Sequence, residues 1–442
     1  MEVLAYAVGL LVLVVGLLIS IGLHELGHMI PAKRFGVRVP RYMIGFGPTL
    51  WSVRRGETEY GLKAIPLGGY VKMVGMLPPA REVGAEDVEP RGAVGQMIAE
   101  ARNASAEEIA PGEEHRAFYR LSTPRKILVM AGGTLTNLLV GALLIGGVLV
   151  AYGEGQVSTT VGMVGQCILP ADTDAEGGRE CTADDPASPA DVAGVQVGDV
   201  LVSFAGTPIE EWADFTAAVR ASEGTAIPLV VERDGEPVTL TIDPVEVERP
   251  VWNEDGSAKE SDGEVVTEQV RYVGVSPAAE LRRLPVGEAV PRLGEMVWEN
   301  IKAIARLPVA VVDIGKALVG DGERDPGVVG LVGVAQVAGQ VTSVQDPQVT
   351  IADRVATMVL LIGSLNIALF VFNLIPLLPL DGGHVAGALW EGAKRQWARM
   401  NGLPRPRPAD MAKMMPVAYG VFVVLVALGL FLVVADVVVP VI

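Results

Sequence analysis

Four long apolar runs alternate with polar segments along the chain. The first, residues 3–22, is uncharged, and at about 20 residues it is long enough to cross a bilayer as a helix. Similar runs lie at 127–151, 355–375 and 415–439. A signal peptide is the alternative for the first run, but it would have a basic start and a cleavage site of small residues. Only Glu2 carries a charge before this run, which continues into His24, so the pattern predicts four transmembrane helices.

The composition also indicates a membrane protein. Apolar residues make up 50% of the 442 residues, and the mean hydropathy of +0.40 is high for a soluble chain of this length. The net charge of −17 argues against nucleic-acid binding, which needs a basic surface. Two cysteines are too few for a disulfide scaffold or a cysteine-rich zinc site.

Basic residues are concentrated in two polar segments, and they determine the predicted orientation. Lys and Arg outnumber Asp and Glu in residues 31–72 and again in residues 391–413. The positive-inside rule places both segments in the cytoplasm. We therefore expect a multi-pass protein of the inner (plasma) membrane whose N-terminus and segment 155–280 are extracytoplasmic.

The pattern His-Glu-x-x-His follows the first apolar run, at His24, Glu25 and His28. Residues four apart lie on one face of a helix, so His24 and His28 can present imidazole nitrogens to one metal ion. Zinc bound by two histidines and a carboxylate keeps one position open for water, and Glu25 could take a proton from that water. Interfacial histidines beside a solvent-reaching glutamate are the alternative, but ionisable groups at membrane depth are costly and usually functional.

A second polar pattern follows the third apolar run. Asn373 and Asp381 lie in Asn-Leu-Ile-Pro-Leu-Leu-Pro-Leu-Asp-Gly-Gly, and its prolines predict a broken helix of the kind that lines a cavity at membrane depth. The first and third spans run in the same direction, so we expect Asp381 at the depth of His24 and His28, as the third ligand. A helix N-cap is the alternative role for Asp381. Asn373 either donates to a developing oxyanion or stabilises the broken helix.

Short runs of strand-forming residues and glycine follow the first span. The runs 44–53, 59–65 and 68–74 predict hairpin strands separated by turns. An open strand edge beside a metal site could hold an extended peptide by strand addition. An ordinary cytoplasmic loop is the alternative.

Residues 155–280 have a soluble, acidic and mixed composition. The stretch 188–206 resembles the core of a bacterial PDZ domain, in which a short helix leads into a Gly-Asp turn and a buried strand. Residues 212–221 would form the second helix, and a hairpin around Asp234-Gly235 would close the domain. Because disulfides persist outside the cytoplasm, we predict one between Cys167 and Cys181, with two unpaired thiols as the alternative.

Together these motifs resemble the site-2 protease family of intramembrane zinc metalloproteases, in its bacterial form with an extracytoplasmic PDZ domain. The resemblance rests on His24-Glu25-Leu26-Gly27-His28, on Gly45-Phe46-Gly47-Pro48, on residues 330–336, and on Asn373 with Leu380-Asp381-Gly382. It implies His24, His28 and Asp381 as Zn²⁺ ligands and Glu25 as the catalytic acid and base. The chain departs from the family at 376–379, where it has Pro-Leu-Leu-Pro instead of the common Pro-x-Pro.

The resemblance also implies partners. Members of the family cut single-span membrane proteins in regulated intramembrane proteolysis, and anti-sigma factors and remnant signal peptides are frequent bacterial substrates. The PDZ-like region would act as a size filter or would bind a newly made C-terminal peptide. The lipid bilayer is the other expected partner, and nucleic acid is not expected.

Two other functions fit parts of the sequence. An envelope adaptor would bind through the PDZ-like region and keep the metal as a structural element. A structural site, however, has no role for Glu25 and normally fills its fourth position with a protein ligand. A metal transporter would carry polar residues at mid-membrane on several helices and often shows internal repeats, and the sequence has neither.

We therefore predict a polytopic α-helical membrane protein with a membrane-associated β-hairpin region and an inserted α+β PDZ-like domain. The expected segments are the first transmembrane helix with the metal motif (1–30), the cytoplasmic-side hairpin (31–77), a mobile insert (78–115), the second transmembrane helix (116–152), the PDZ-like domain (155–280), an amphipathic linker (285–350), the third transmembrane helix with the Asp-Gly-Gly motif (351–390), a cytoplasmic basic loop (391–413) and the fourth transmembrane helix (414–442).

Overall fold

The computed structural model of the chain describes residues 2–86, 90–169, 181–182, 185–251, 260–261, 264–320, 324, 327–343 and 349–440. The chain divides into two compact units. Met1–Ala151 and Leu284–Ile442 form the first unit, and Tyr152–Arg283 form the second.

In chain order the first unit begins with α1 (Glu2–Arg34), β1 (Arg41–Arg55), β2 (Thr58–Lys72), α2 (Ala80–Val83), α3 (Gly92–Glu107) and α4 (Thr123–Ala151). The second unit contains β3 (Glu154–Val164), α5 (Pro189–Ala193), β4 (Val200–Phe204), β5 (Thr207–Pro208), α6 (Trp212–Ala221), β6 (Ile227–Arg233), β7 (Glu236–Ile242), β8 (Val245–Pro250), β9 (Glu260–Ser261), β10 (Glu264–Val265), β11 (Thr267–Tyr272) and β12 (Val275–Arg282). The first unit ends with α7 (Val286–Leu318), α8 (Leu331–Ser343), α9 (Ile351–Asn373), α10 (Asp381–Met400) and α11 (Met415–Val438).

Four helices in the described part of the chain are long and apolar enough to cross a membrane, and they lie in α1, α4, α9 and α11. A helix satisfies its own backbone hydrogen bonds, which is why apolar runs of this length adopt it in lipid. All four predicted spans are therefore helices of sufficient length and hydropathy to cross a membrane. Helix α1 continues through the His-Glu-x-x-His motif to Arg34, so the motif is helical as expected.

Glycines let α1 and α4 approach each other closely. A Cβ atom on Gly27 would lie 2.5 Å from the carbonyl oxygen of Gly132, and one on Gly132 would lie 2.1 Å from that of Gly27. No side chain fits between backbones at this separation, and close approach through small residues is a usual mode of helix association in lipid. The crossing brings His28 of α1 against Val129 and Gly133 of α4.

Strands β1 and β2 form a curled antiparallel sheet. Residues 41–44 pair with 59–62 on one side and with 69–72 on the other, because β2 turns back near Ile65, opposite Phe46. The structure therefore has paired strands where an ordinary loop was the alternative. Among the described residues, segment 69–72 pairs only with 41–44, so its other edge remains without a strand partner.

The segment 78–115 was expected to be a mobile insert, and its described part has regular elements that contact the rest of the first unit. It contains α2 and α3, and Arg102 of α3 is buried with its Nη2 atom 2.5 Å from Oδ2 of Asp410. Ser105 also donates to the carbonyl oxygen of Leu77, at 3.0 Å. The partner of Arg102 lies far away in the sequence, so local composition could not indicate that this helix is held in place.

The segment 285–350, which was expected to be an amphipathic linker, contains the 33-residue helix α7 and the helix α8. The segment 391–413 was expected to be a cytoplasmic loop. It is not only a loop, because α10 extends into it as far as Met400. Both regions have helical periodicity, and tertiary packing determines where the helices end.

The second unit is built around a six-stranded sheet. The strand order is β12-β3-β4-β6-β7, with β5 beside β4, and separate two-stranded pairs are formed by β8 with β11 and by β9 with β10. Phe204, Leu229 and Val231 are buried in its core, and the Phe204 ring contacts the Phe215 ring of α6 with centroids 5.7 Å apart. The apolar side chains between the sheet and α6 thus form the core of this unit.

Two local predictions for the second unit are confirmed. Strands β6 and β7 form a hairpin whose turn residues Asp234 and Gly235 have φ values of 53° and 82°, as the tightest hairpin turns require. Cys167 and Cys181 form a disulfide.

Candidate metal centre

Helix α1 presents His24 and His28 on one face, one turn apart. Their Nε2 atoms lie 3.2 Å from each other. Nδ1 of His28 lies 2.8 Å from the carbonyl oxygen of Val129 on α4. A carbonyl oxygen only accepts, so Nδ1 carries the proton and Nε2 directs its lone pair toward His24 and Asp381.

Gly133 of α4 is required for this placement. A Cβ atom at position 133 would lie 2.2 Å from Nε2 of His28, which is far inside van der Waals contact. The glycine pair Gly132-Gly133 therefore does two things: the first residue allows the helices to cross, and the second leaves room for the His28 ring.

Asp381 joins the two histidines from a distant part of the chain. It is the first residue of α10, and its Oδ2 atom lies 3.4 Å from Nε2 of His24 and 3.2 Å from Nε2 of His28. The N-cap position belongs to Leu380, and no side chain caps this helix, so the N-cap alternative for Asp381 is wrong.

The two glycines after Asp381 pack the start of α10 tightly against the end of the preceding segment. A Cβ atom on Gly382 would lie 2.3 Å from the carbonyl oxygen of Ile375, and one on Gly383 would lie 2.5 Å from the nitrogen of Leu378. Both glycines are buried. This contact explains why Asp-Gly-Gly follows the helix break, because any larger residue would push Asp381 away from α1.

Thr134 makes a hydrogen bond to Asp381 that the sequence analysis did not predict. Its Oγ1 donates to Oδ2 of Asp381 at 3.1 Å, and the residue is buried. The only sequence signal was a hydroxyl residue in the apolar run of α4, which is more often a packing residue. The contact depends on the α4–α10 packing, so the sequence alone could not reveal it.

The three candidate ligand atoms fit a zinc ion. They form a triangle with sides of 3.2, 3.2 and 3.4 Å. Zinc bonds of about 2.0–2.1 Å in tetrahedral geometry separate neighbouring ligands by about 3.3 Å. The triangle thus has the size of one face of a zinc tetrahedron, and these three residues form the only such His/Cys/Asp/Glu group among the described residues. A catalytic zinc has three protein ligands of this kind and one open position.

Glu25 lies beside the triangle and is not part of it. The sheet surrounds it, because a Cβ atom on Gly69 of β2 would lie 3.1 Å from Cγ of Glu25. Tyr42 of β1 donates to the carbonyl oxygen of Gly22 on α1 at 2.6 Å. The curled sheet is therefore held against the helix turn that carries Glu25, with segment 69–72 next to the carboxylate.

Asn373 lies outside the triangle of candidate ligand atoms. It is the last residue of α9 and is half-buried, and its side chain has no hydrogen bond within the described part of the chain. Nδ1 of His24 and Oδ1 of Asn137 on α4 are buried and have no hydrogen-bond partner among the described residues. The structure thus brings together His24, His28 and Asp381 with Glu25 beside them, and it leaves the role of Asn373 as a prediction.

A polytopic membrane protein that holds a His-His-Asp group and an adjacent glutamate between its helices belongs to the class of intramembrane metalloproteases. Comparison with known proteins gives the particular family. The chain belongs to peptidase family M50, whose family model matches residues 12–402.

Several relatives match almost the whole chain. The chain is 34% identical to the zinc metalloprotease Rip1 of Mycobacterium tuberculosis, over 99% of this chain and 98% of that protein. It is 28% identical to the metalloprotease MmpA of Caulobacter vibrioides, over 88% and 89%. It is 27% identical to the regulator of sigma-E protease RseP of Escherichia coli, over 84% and 88%. The chain is therefore a zinc metalloprotease, and the predicted Zn²⁺ cofactor is confirmed.

Proposed function

We propose that His24, His28 and Asp381 bind the zinc ion and that Glu25 is the catalytic acid and base. The observation that carries this proposal is the triangle of ligand atoms, which matches a zinc tetrahedron face and leaves Glu25 outside it. When bound, zinc supplies Lewis-acid polarisation of the scissile carbonyl and of a water molecule.

The side chains around the zinc would transfer the proton, position the ligands and bind the oxyanion. The Glu25 carboxylate accepts the proton of the attacking water and passes it to the nitrogen of the leaving amine. The hydrogen bond from His28 to Val129 and the hydrogen bond from Thr134 to Asp381 hold two ligands in position. Asn373 is proposed to donate to the oxyanion that develops on the scissile carbonyl.

The substrate peptide is proposed to bind as an added strand on segment 69–72. This segment has no strand partner on its other edge within the described residues, and it lies beside Glu25, whose carboxylate is hydrogen-bonded to the backbone of Val71. An extended peptide satisfies its backbone hydrogen bonds on such an edge, which would place a peptide bond within reach of the carboxylate. A transmembrane helix must unwind locally to bind in this way, and the edge supplies replacement hydrogen bonds for the unwound residues.

A Glu25→Gln substitution tests the assignment of the catalytic base. We expect the loss of at least about a thousandfold in cleavage of a tagged single-span membrane protein, with about one zinc retained per chain because Glu25 is not a ligand. Metal content and the cytoplasmic fragment are measured on the same preparations, and His28→Ala is the matched control that should lose zinc as well as activity. Full cleavage by Glu25→Gln would contradict the proposal.

The same inactive protein tests strand addition. A cysteine at Tyr70 in the Glu25→Gln chain should form a disulfide with cysteines at alternate positions of the trapped substrate, because side chains on a strand alternate between two faces. Crosslinks that recur every three or four positions would show a helical substrate and would contradict an added strand.

We propose further that the protein lies in the inner membrane with its N-terminus and second unit outside the cytoplasm, and with the zinc centre toward the cytoplasmic side. The excess of Lys and Arg in 31–72 and 391–413 supports this orientation, and a disulfide in the second unit is compatible with an oxidising compartment. The proposed substrates are single-span membrane proteins such as anti-sigma factors or remnant signal peptides. One relative, whose name describes a regulator of sigma-E protease, supports the first type.

The second unit is proposed to be a PDZ-like domain that binds a C-terminal peptide. A groove of about 370 Å³ lies between α6 and the start of β12, lined by Phe215, Thr216, Val219 and Val275. Arg220, Arg249 and Arg271 also line it, together with Glu268, which lies 3.8 Å from Arg220. This excess of basic residues suits a terminal carboxylate. The sheet order alone does not define a PDZ domain, so the groove is the feature that supports this assignment.

Two variants distinguish a size filter from a reader of new C-termini. Removal of residues 155–280 should permit cleavage of full-length, untrimmed substrate if the unit excludes large extracytoplasmic domains. Thr216→Arg, which fills the groove, should leave that exclusion intact and should reduce cleavage of trimmed substrate several-fold only if the unit reads the new terminus. If untrimmed substrate still resists cleavage after the deletion, the filter role is wrong.

A further inference from the structure

A pocket lined by arginines lies in the first unit, apart from the zinc centre. It has a volume of about 440 Å³, within the range of small-ligand sites. Its polar lining is formed by Arg81, Tyr119, Arg120, Arg395, Arg405 and Arg407, together with Glu82. We refer to it as the arginine pocket, and neither the protease chemistry nor the second unit uses it.

Among the described residues, carboxylates neutralise only part of the positive charge of the arginine pocket. Glu82 is the one carboxylate in the described lining, and it pairs with Arg120 at 2.6 Å. Arg81, Arg405 and Arg407 have no ion-pair partner among the described residues. Glu114 lies close to Arg81 and Arg120 but does not line the pocket. Like charges gathered in one cavity repel each other, so this arrangement suits an anionic ligand.

Glu391, behind the pocket, does not cancel this charge. It lies 2.5 Å from Arg395 and 3.0 Å from Lys126 of α4, and it also accepts a hydrogen bond from the backbone of Ala409 at 3.0 Å. One carboxylate therefore forms ion pairs with two cationic side chains. Arg395 thus shares its carboxylate with Lys126 and keeps part of its positive charge.

The pocket is built before any ligand binds. Pro406 and Pro408 alternate with Arg405 and Arg407 in the lining, and proline restricts the backbone of this loop. Gly84, at a φ of +70°, makes room for Arg407, because a Cβ atom there would lie 1.3 Å from Nη1 of Arg407. Arginines held in fixed positions are the side chains that best recognise phosphate oxygens.

The surroundings of the pocket indicate the source of the phosphate. Helix α10, which carries Arg395, exposes Trp390, Trp397 and Met400 with exposed fractions of 64%, 60% and 70%. Tryptophans seven residues apart share a helix face, and tryptophan is enriched where membrane meets water. The transmembrane helix α4 begins at Thr123, directly after Arg120. The arginines are thus placed at the membrane interface, where lipid headgroups lie.

We propose that the arginine pocket binds the phosphate groups of an anionic phospholipid headgroup. The headgroup enters between the loop 405–408 and α10, and its phosphate oxygens accept hydrogen bonds from Arg395, Arg405 and Arg407. Basic pockets next to transmembrane helices bind anionic lipids through the same charge attraction. Occupation would hold the far end of the helix whose first residue is Asp381.

The test uses the delipidated full-length chain and native mass spectrometry. Cardiolipin, phosphatidylglycerol and phosphatidylcholine of matched acyl chains are titrated separately, and inorganic pyrophosphate is titrated as the soluble phosphate probe. We expect retention of cardiolipin and phosphatidylglycerol over phosphatidylcholine. The double variant Arg405→Gln/Arg407→Gln should bind the anionic lipids at least about tenfold more weakly.

A matched double variant separates the pocket from general basic charge. Arg91→Gln/Arg399→Gln removes the same charge from exposed positions outside the lining and should change anionic-lipid affinity less than about twofold. Gly84→Ala removes no charge but displaces Arg407, and it should weaken binding as the pocket variant does. Thermal unfolding of every variant is measured to identify any loss of fold.

Three outcomes would overturn the proposal. Equal weakening by the two double variants would show attraction to general basic charge. Equal retention of phosphatidylcholine would show that the headgroup charge is not recognised. Pyrophosphate binding as tight as that of the lipids, lost in the Arg405→Gln/Arg407→Gln variant, would assign the pocket to a soluble phosphate compound instead.

Discussion

At the scale of single residues, the zinc centre depends on side chains outside the recognised motif. Asp381 receives a hydrogen bond from Thr134, and His28 donates to the backbone of Val129. Partners of this kind orient a ligand and usually matter for metal affinity nearly as much as the ligand itself. Gly133 contributes by having no side chain, because a Cβ atom there would collide with His28.

Thr134→Val should weaken zinc binding by about tenfold, because the hydrogen bond to Asp381 is lost while the volume is kept. Zinc affinity is measured by competition with a chelator of known affinity. Thr134→Ser is the control, since it keeps the hydroxyl, and it should stay near the wild-type affinity. Equal affinities for the valine and serine variants would show that the hydroxyl does not position Asp381.

At the scale of elements, buried charges connect helices in the C-terminal part of the first unit, far in sequence from the His-Glu-x-x-His motif. Asp436 of α11 is buried, with Oδ1 lying 2.6 Å from Nη2 of Arg324. Its carboxylate also accepts hydrogen bonds from the backbone N–H groups of Gly330 and Gly333, at 3.1 and 2.7 Å. The start of α8 is thereby attached to α11, and α8 packs against α1, where a Cβ on Gly9 would lie 2.3 Å from the carbonyl oxygen of Ala338.

Asp436→Ala should lower the free energy of unfolding by about 3 kcal/mol or more, because it leaves Arg324 buried without its partner. Unfolding is followed by SDS titration in mixed micelles. The double variant Arg324→Met/Asp436→Leu removes both charges and should recover part of the loss. A double variant that is less stable than Asp436→Ala would mean that the uncompensated charge is not the cause.

At the scale of the whole molecule, charge is distributed unevenly between the two units. Basic side chains are concentrated in 31–72 and 391–413, while the chain as a whole has a net charge of −17. Within the second unit, Asp199 is buried and lies 2.7 Å from Arg233. Burial acts to raise the pKa of the Asp199 carboxyl, but the hydrogen bonds from Arg233 and from the backbone of Gln196 outweigh it and lower the pKa below 3.8.

The second unit should therefore lose stability in acid. A pKa that is lower in the folded unit than in the unfolded chain stabilises the fold above the ordinary aspartate value, and this contribution is lost as the pH falls through the lowered value. Amide protection factors for 152–283 in the full-length chain should fall on acidification below about pH 4. Asp199→Asn should show a smaller fall over the same range, and an equal fall would assign the acid sensitivity to other groups.

Much of this protein follows from local sequence. Apolar runs of bilayer length determined four helices, since a single segment satisfies its own backbone polar groups in lipid only as a helix. The spacing of His24 and His28 placed two candidate ligands on one helix face, and Asp234-Gly235 determined a hairpin turn. Each of these features depends on neighbours within a few residues, so the order of the amino acids is enough to predict them.

The tertiary structure decided which distant residues meet. The sequence indicated Asp381 through span direction and family resemblance, but only helix packing shows that its carboxylate closes a zinc-sized triangle with His24 and His28. Thr134, the Arg102–Asp410 pair and the arginine pocket had no local signal in the sequence, and the segment 78–115, which contains Arg102, was expected to be a mobile insert. Contacts between residues hundreds of positions apart are set by the crossing of helices at glycines and by the pairing of buried charges. These depend on three-dimensional packing, which a one-dimensional pattern does not contain.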